Sequence, residues 1–384
     1  MMLFDFDAPI SRSNSDSVRW DAHIGSDVIP LWVADMDFRS PPCVIEALLE
    51  RVQHGIFGYT HAPVDLRATI CQHLEHEYRW RVDPDWIVIL PSVVSGLYTA
   101  VRELTKAEDH VLIPKPVYHH LRLACSNAPR HFTEIPLVLE DDRWVMPWSL
   151  LKTFCTDHTK LALLCNPQNP GGTVYSQSEL TQFAHVCEQN DMLICSDEIH
   201  AGLILNPALR HTPIASLSQS ISMRTVTLMS LNKTFNFPGI GLAWAVAENP
   251  VLRQAMQTNL HQTIADPGLL AYTATLSALK NGAPWRQSLL EYLRHNRDLV
   301  IDRIKAIPQL NVSNIEATYL AWIDCSGLNH PDPYALFLAG GVALSPGAQF
   351  NASQCVRLNF ATQRARLNTA LDRIALAVNA MPSA

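Results

Sequence analysis

One lysine stands out for the chemistry its setting allows. Lys233 lies in LMSLNKTFNFPGIGLAW, where nearly every neighbour is apolar or small. A lone lysine is usually a solvated surface residue, but one immediately beyond a buried strand is partly desolvated. Desolvation lowers an amine's pKa and makes it available for Schiff-base chemistry. Asp197 ends another apolar run and is followed by Glu198, Ile199 and His200. A buried carboxylate there needs a cationic or proton-bearing partner. A pyridinium nitrogen supplies one, and holding it protonated makes its ring an electron sink. The commoner role of an isolated Asp is a turn or helix cap.

Other residues could complete a site around this pair. The segment Asn166-Pro167-Gln168-Asn169-Pro170-Gly171-Gly172 is a rigid strand-to-helix turn, and such a turn could also fix the Asn169 amide at a ligand oxygen. Ser92-Val93-Val94 opens a helix after a strand, where free N–H groups and the helix dipole attract an anion. Ser230 could add a hydroxyl. Tyr118 could stack on an aromatic ring, although spacing alone favours a core tyrosine. Arg357 alternates with apolar residues in Val356-Arg357-Leu358-Asn359. It is either half of a structural ion pair or a bidentate clamp for a substrate carboxylate.

These residues need elements to place them. Apolar runs at Trp86–Leu90, Val111–Ile113, Leu161–Cys165, Met192–Cys195 and Thr225–Met229 alternate with polar or Gly/Pro-rich turns and helix-like stretches. Short, non-alternating apolar runs between helices predict buried parallel strands of an α/β fold. Ligands of such sheets gather at the strands' carboxyl ends, where the unusual polar residues fall. After about residue 275 a long helical stretch, APWRQSLLEYLRHNRDLVIDRIKAI, leads to strand signals at TYLAWID and VRLNFA. The pattern divides into an N-terminal arm (1–44), a large domain (45–275) and a smaller α+β domain (276–384), the arm belonging to the last.

The chain has 384 residues, a hydrophobic fraction of 48% and a net charge of −7. That length supports one large or two modest domains. Charge without long single-sign runs argues against nucleic acid. Nine cysteines with no C-x-x-C pair argue against a disulfide framework or structural zinc and for a reducing, cytoplasmic setting. No leader is expected from the acidic stretch Met1–Asn14, and no apolar run approaches a membrane span. His73, Glu75 and His76 lack the H-E-x-x-H spacing, so no metal is expected, and neither G-x-G-x-x-G nor G-x-S-x-G occurs.

Together these segments resemble the fold-type-I pyridoxal 5′-phosphate (PLP) enzymes of the class I/II aminotransferase superfamily over nearly the whole chain. LWVADMDFRSPP (31–42), HGIFGYTH (54–61), SDEIH (196–200), NKTFN (232–236), EATYLAWID (316–324) and GVALSPGAQF (341–350) are similar to its cystathionine β-lyase branch of MalY/PatB type. The resemblance implies a large PLP-binding domain with a mostly parallel central sheet plus a smaller α+β domain. It makes Lys233 the Schiff-base lysine and Asp197 the partner of the pyridine nitrogen. Asn169 and His200 would lie near the phenolic oxygen, and Tyr118 would stack on the ring. Ser92, Val93, Val94 and Ser230 would hold the phosphate, joined by Tyr59 from a neighbouring subunit of a homodimer. Arg357 would clamp the α-carboxylate, with Trp32 and Asp35 lining the entrance. Three departures stand out: Gly241 where many aminotransferases carry a phosphate-binding Arg, Ser92 and Asn351 where Gly is common, and Asn232 where Ser is more usual.

The expected reaction is α,β-elimination of an L-cysteine thioether such as cystathionine to thiol, pyruvate and ammonia. Transamination of a small L-amino acid uses the same residues, and a PLP-binding regulatory protein with weak catalysis is the reading from another class.

Overall fold

The apolar runs between residues 87 and 246 join edge to edge in one seven-stranded sheet. Its strands are β1 (Ile87–Leu90), β2 (His110–Lys115), β3 (His131–Pro136), β4 (Thr159–Cys165), β5 (Leu193–Asp197), β6 (Thr225–Met229) and β7 (Ala243–Val246), in the spatial order β1-β7-β6-β5-β4-β2-β3. The pairs β6–β5–β4–β2–β3 are all parallel, and only β7 runs antiparallel to both of its neighbours. All five residues of Thr225–Met229 are buried, as a strand covered on both faces requires. The computed structural model describes residues 4–381, with residues 259–263 described by backbone alone.

The helices follow from local chemistry. Ser92 caps α1 (Val93–Leu104), its Oγ accepting the Ser95 N–H at 3.0 Å. The buried stripe Val93, Leu97, Ala100 and Val101 recurs at helical spacing. Gly96 in that stripe lets α1 approach the sheet, because a Cβ there would fall 2.8 Å from Leu90 and Leu228 side-chain carbons. The short helix α2 (His119–Asn127) begins directly after Tyr118. Ser176 and Glu179 close a capping box on α3 (Gln177–Gln189).

The C-terminal part holds the long helix α4 (Ala283–Lys305), a four-stranded sheet and α5 (Arg364–Asn379). The sheet comprises β8 (Asn311–Val312), β9 (Leu320–Asp324), β10 (Ser345–Pro346) and β11 (Cys355–Asn359), ordered β8-β9-β11-β10 and antiparallel throughout. The N-terminal arm belongs with it: Ile29–Pro30 pairs in parallel with Val342–Ala343. Asn359 Nδ2 donates to the carbonyls of Val33 and Asp35, both at 2.6 Å. Asn236, next to the lysine loop, donates to Met36 and Phe38 carbonyls at 3.1 and 2.7 Å. Each such bond contributes about 1 kcal/mol net, so the arm is tied down from two sides.

A charge cluster seals the arm. Asp37 meets Arg12, Arg19 and Arg366 at 3.1, 3.2 and 3.3 Å, and Trp20 Nε1 donates to it at 2.9 Å.

Two strands of the seven-stranded sheet have no counterpart among the expected runs. β7 is hidden inside the apolar surroundings of Lys233, and β3 is an edge strand with one fully buried position, too polar for its hydrophobic pattern to show. All nine cysteines are free thiols. Among the described residues no helix is long and apolar enough to cross a membrane, and no group of three or more His, Cys, Asp or Glu could hold a metal.

Candidate active site

The carboxyl ends of β1, β4, β5 and β6 open on a cavity of about 350 Å³, closed from the other side by Trp32–Ala34 of the arm and by Arg357 of β11. The register places Asp197 beside Cys165 and Leu228, at the level where the strands stop. Lys233 follows β6 by a short loop and points into the same space.

Lys233 Nζ donates to the Ala34 carbonyl at 2.6 Å. Burial, then the nearby Arg357 charge, pushes its pKa down to about 8, against a weaker upward pull from Asp35 and Asp197. A usable fraction of the amine is therefore neutral near physiological pH.

Asp197 is 3% exposed and has no cation in contact; it accepts only the Ile199 N–H, at 3.1 Å. Burial pushes its pKa up to about 7, and Glu198 adds to the rise. His200 is equally buried, with its Nδ1 unpartnered and its ring edge-on to Tyr319 at 6.3 Å. Burial, with Lys233 and Arg357 nearby, pushes its pKa down to about 3, so the ring is neutral. Burial and the Asp197 charge raise the Tyr118 phenol to about 12, which keeps it protonated.

Arg357 has no carboxylate partner. Its Nη1 donates to Asn169 Oδ1 at 3.0 Å, and its Nη2 to the Trp32 carbonyl and Ser345 Oγ at 3.1 and 3.2 Å. Its guanidinium lies 4.9 Å from the centroid of the Phe350 ring, and its Nε is unpartnered. A buried guanidinium held only by neutral acceptors is an anion receptor. At the other end of the cavity, the Ser95 and Gly96 N–H groups bond back to Ser92. That leaves the Val93 and Val94 N–H groups, which no acceptor in α1 can reach, beside the cavity that both residues line. Gly241 explains the missing arginine: a Cβ there would lie 2.6 Å from the Pro91 carbonyl oxygen.

The cavity thus gathers Ser92, Val93, Val94, Tyr118, Asn169, Asp197, His200, Lys233, Arg357 and Trp32. Three expected residues stand elsewhere. The Asp35 carboxylate pairs with Arg12 at 2.6 Å and Arg19 at 3.3 Å, so it fastens the arm and does not line the entrance. Ser230 is buried in the turn before Lys233, its Oγ donating to the Leu242 carbonyl at 2.7 Å and accepting the Asn232 N–H at 3.1 Å. Tyr59 is fully exposed and reaches no site in its own chain. Conversely, His119, Asn232, Ser345 and Gln349 line the cavity, and Tyr319 OH shares the Ala34 carbonyl with Lys233, donating at 2.9 Å. Only fold-level register brings these residues in; their local sequence offers no signal beyond the motif strings that contain them.

The open groups match the poles of pyridoxal phosphate. The cavity offers an amine for its carbonyl, an uncompensated carboxylate for its ring nitrogen and helix N–H groups for its phosphate. The chain's relatives agree. The cystathionine beta-lyase PatB of Bacillus subtilis (strain 168) is 32% identical over 98% of this chain and 100% of its own. A crystal structure of OvoB superposes with a TM-score of 0.97 at 40% identity, covering 99% of this chain and 100% of that one. The structure of cystalysin from Treponema denticola, which contains a pyridoxal 5′-phosphate cofactor, does so at 0.93 and 30%, covering 98% and 99%. Residues 26–374 match the family described as aminotransferase class I and II, and the chain belongs to it.

Proposed function

We propose that this chain is a PLP-dependent C–S β-lyase that cleaves L-cystathionine or a related L-cysteine thioether to thiol, pyruvate and ammonia. The observation that carries the reading is one cavity holding a buried carboxylate with no cation, Asp197, and a buried arginine with no anion, Arg357, on either side of Lys233. The β-lyase names of its relatives favour elimination over transamination.

The cofactor, when bound, supplies a protonated ring that withdraws electrons from the substrate's Cα. Val93 and Val94 N–H groups would hold its phosphate, Asp197 would keep its ring nitrogen protonated, and Tyr118 would pack against its ring. Lys233 would be its covalent anchor. Arg357, aimed by Asn169 and Ser345, binds the α-carboxylate and fixes the Cα–H bond relative to the lysine. The substrate's amine would take over the lysine's bond to the cofactor, and the freed Lys233 Nζ, whose pKa is pushed down to about 8, would take the Cα proton. The thiolate would leave from Cβ, and water would then release pyruvate and ammonia.

The same reading gives a homodimer. Ile56, Phe57, Tyr59 and Val64 are exposed together, and a second copy would cover them and receive Tyr59 at its phosphate end. Size-exclusion chromatography checks this. Free thiols throughout fit the cytoplasm. To test the activity, PLP-loaded protein is mixed with L-cystathionine in the absence of keto acid. Steady pyruvate release supports the lyase. A single turnover that restarts on adding keto acid would make the protein an aminotransferase instead.

A further inference from the structure

We propose that His119 and Gln349 form a subsite for the substituent on the substrate's sulfur, one that selects thioethers bearing a hydrogen-bonding group over S-alkyl cysteines. This rests on the lyase reading above and deepens it.

Asn232, which also lines the cavity, adjoins the lysine in sequence; the cavity's other polar side chains are those assigned above to the ring, phosphate and α-carboxylate, whereas His119 and Gln349 line the same cavity and have no part in those ends. His119 opens α2 directly after Tyr118, with the two ring centroids 4.8 Å apart. On its other side it meets the Phe350 ring edge-on at 6.5 Å, and Phe350 lies under the Arg357 guanidinium. His119 is therefore in direct contact with the tyrosine expected to stack on the cofactor and one ring away from the carboxylate clamp. A substrate held by that clamp with its Cα at Lys233 must project its Cβ–S arm into the remaining space. Gln349, next to Phe350, stands exposed at the mouth.

The neighbouring histidine shows what is unusual here. His120 Nδ1 is bonded to the Tyr98 hydroxyl at 3.0 Å. His119 Nδ1 is buried and has no partner among the described residues, a condition that costs free energy until a ligand or water meets it. Burial, with His120, Arg357 and Arg122 nearby, pushes the His119 pKa down to about 4. The ring is therefore neutral in use and offers one donor and one acceptor, as the Gln349 amide also does in kind. Two uncharged amphoteric groups distinguish polar from apolar substituents without selecting the sign of a charge.

The test uses two substrates of matched shape, S-(2-carbamoylethyl)-L-cysteine and S-(3-methylbutyl)-L-cysteine, with the PLP-loaded enzyme. The readout is the ratio of their kcat/KM values in pyruvate release. His119→Phe should lower the ratio by about tenfold, the equivalent of one hydrogen bond, through the carbamoyl substrate alone. Gln349→Leu should lower it less, and His119→Asn should restore part of it. Spectral binding of L-alanine, which has no leaving group, should be unchanged in all three variants. An unchanged ratio in His119→Phe, or an equal fall for both substrates, would overturn the subsite and leave the lyase standing. Absence of pyruvate from both thioethers and from L-cystathionine with the unsubstituted enzyme would overturn both.

Discussion

Asp37 and Asp197 are buried to nearly the same depth, 1% and 3% exposed, and their surroundings treat them in opposite ways. Burial raises the pKa of Asp37, but Arg19, the Trp20 N–H, Thr362 and Arg366 together outweigh it and hold the carboxyl below its ordinary value. Asp197 has one backbone N–H and a rise to about 7. The arginines repeat the contrast: fully buried Arg19 faces Asp35 and Asp37, whereas Arg357 faces only an amide, a hydroxyl and a carbonyl. A buried charge neutralised within the chain is architecture. A buried charge left unneutralised is a place kept for something that arrives from outside.

Breaking each half of that contrast should give different symptoms. The largest effect is expected at the site: Lys233→Ala should cut pyruvate release by at least about a thousandfold while the urea unfolding midpoint barely moves. Near-normal turnover in that variant would remove the lysine from the mechanism. On the architectural side, Asp37→Ala leaves Arg19 with Asp35 as its one remaining carboxylate and should cost roughly 3–5 kcal/mol of stability by urea titration; a loss under about 1 kcal/mol would show the cluster to be ornamental. Arg357→Ala should raise KM for a thioether by about a hundredfold with PLP still bound and stability undiminished. Loss of the cofactor from that variant would place Arg357 at the wrong end of the cavity.

The smallest effect sharpens the comparison through pH. Asp197 keeps its proton in the folded chain up to about 7, while the unfolded chain loses it near 3.8. Its contribution to the stability of the cofactor-free protein is therefore fully present below the lower value and is lost as pH rises toward the upper one. The slope is at most about 1.4 kcal/mol per pH unit. Asp37 has the opposite sign, stabilising above the ordinary carboxylate range and less as pH falls. Urea titrations of wild type and Asp197→Asn from pH 4 to 7 should diverge accordingly; parallel curves would mean that Asp197 has a cation partner after all.

The sequence was legible where one local pattern had a single physical meaning. The runs LALLC and TVTLM could only be buried strands, and the polar residues after them had to meet at one end of the sheet. Lys233, Asp197 and Asn169 could be read on that basis, and the family likeness added His200, Tyr118 and the arm. The arm illustrates the limit. Trp32 and Asp35 lie three residues apart in one motif, yet one lines the cavity and the other turns to Arg12 and Arg19. Which side each faces is set by Asn359 and Asn236, far away in sequence. The orientation of Ser230 was hidden for a similar reason: the Leu242 carbonyl that accepts its hydrogen bond belongs to the lead-in to β7, the strand its surroundings concealed. Ser345, Gln349 and His119 were invisible because nothing local distinguishes a cavity wall from any other surface.

Gly241 carries an evolutionary consequence. An arginine codon at this position would not yield a working phosphate ligand, because any side chain there begins 2.6 Å from the Pro91 carbonyl. Gaining that cation would first require the turn after β1 to move away from the turn before β7, and the helix that starts at Ser92 would move with it. On this backbone, a side chain at position 241 is therefore a change of two turns together and not of one residue.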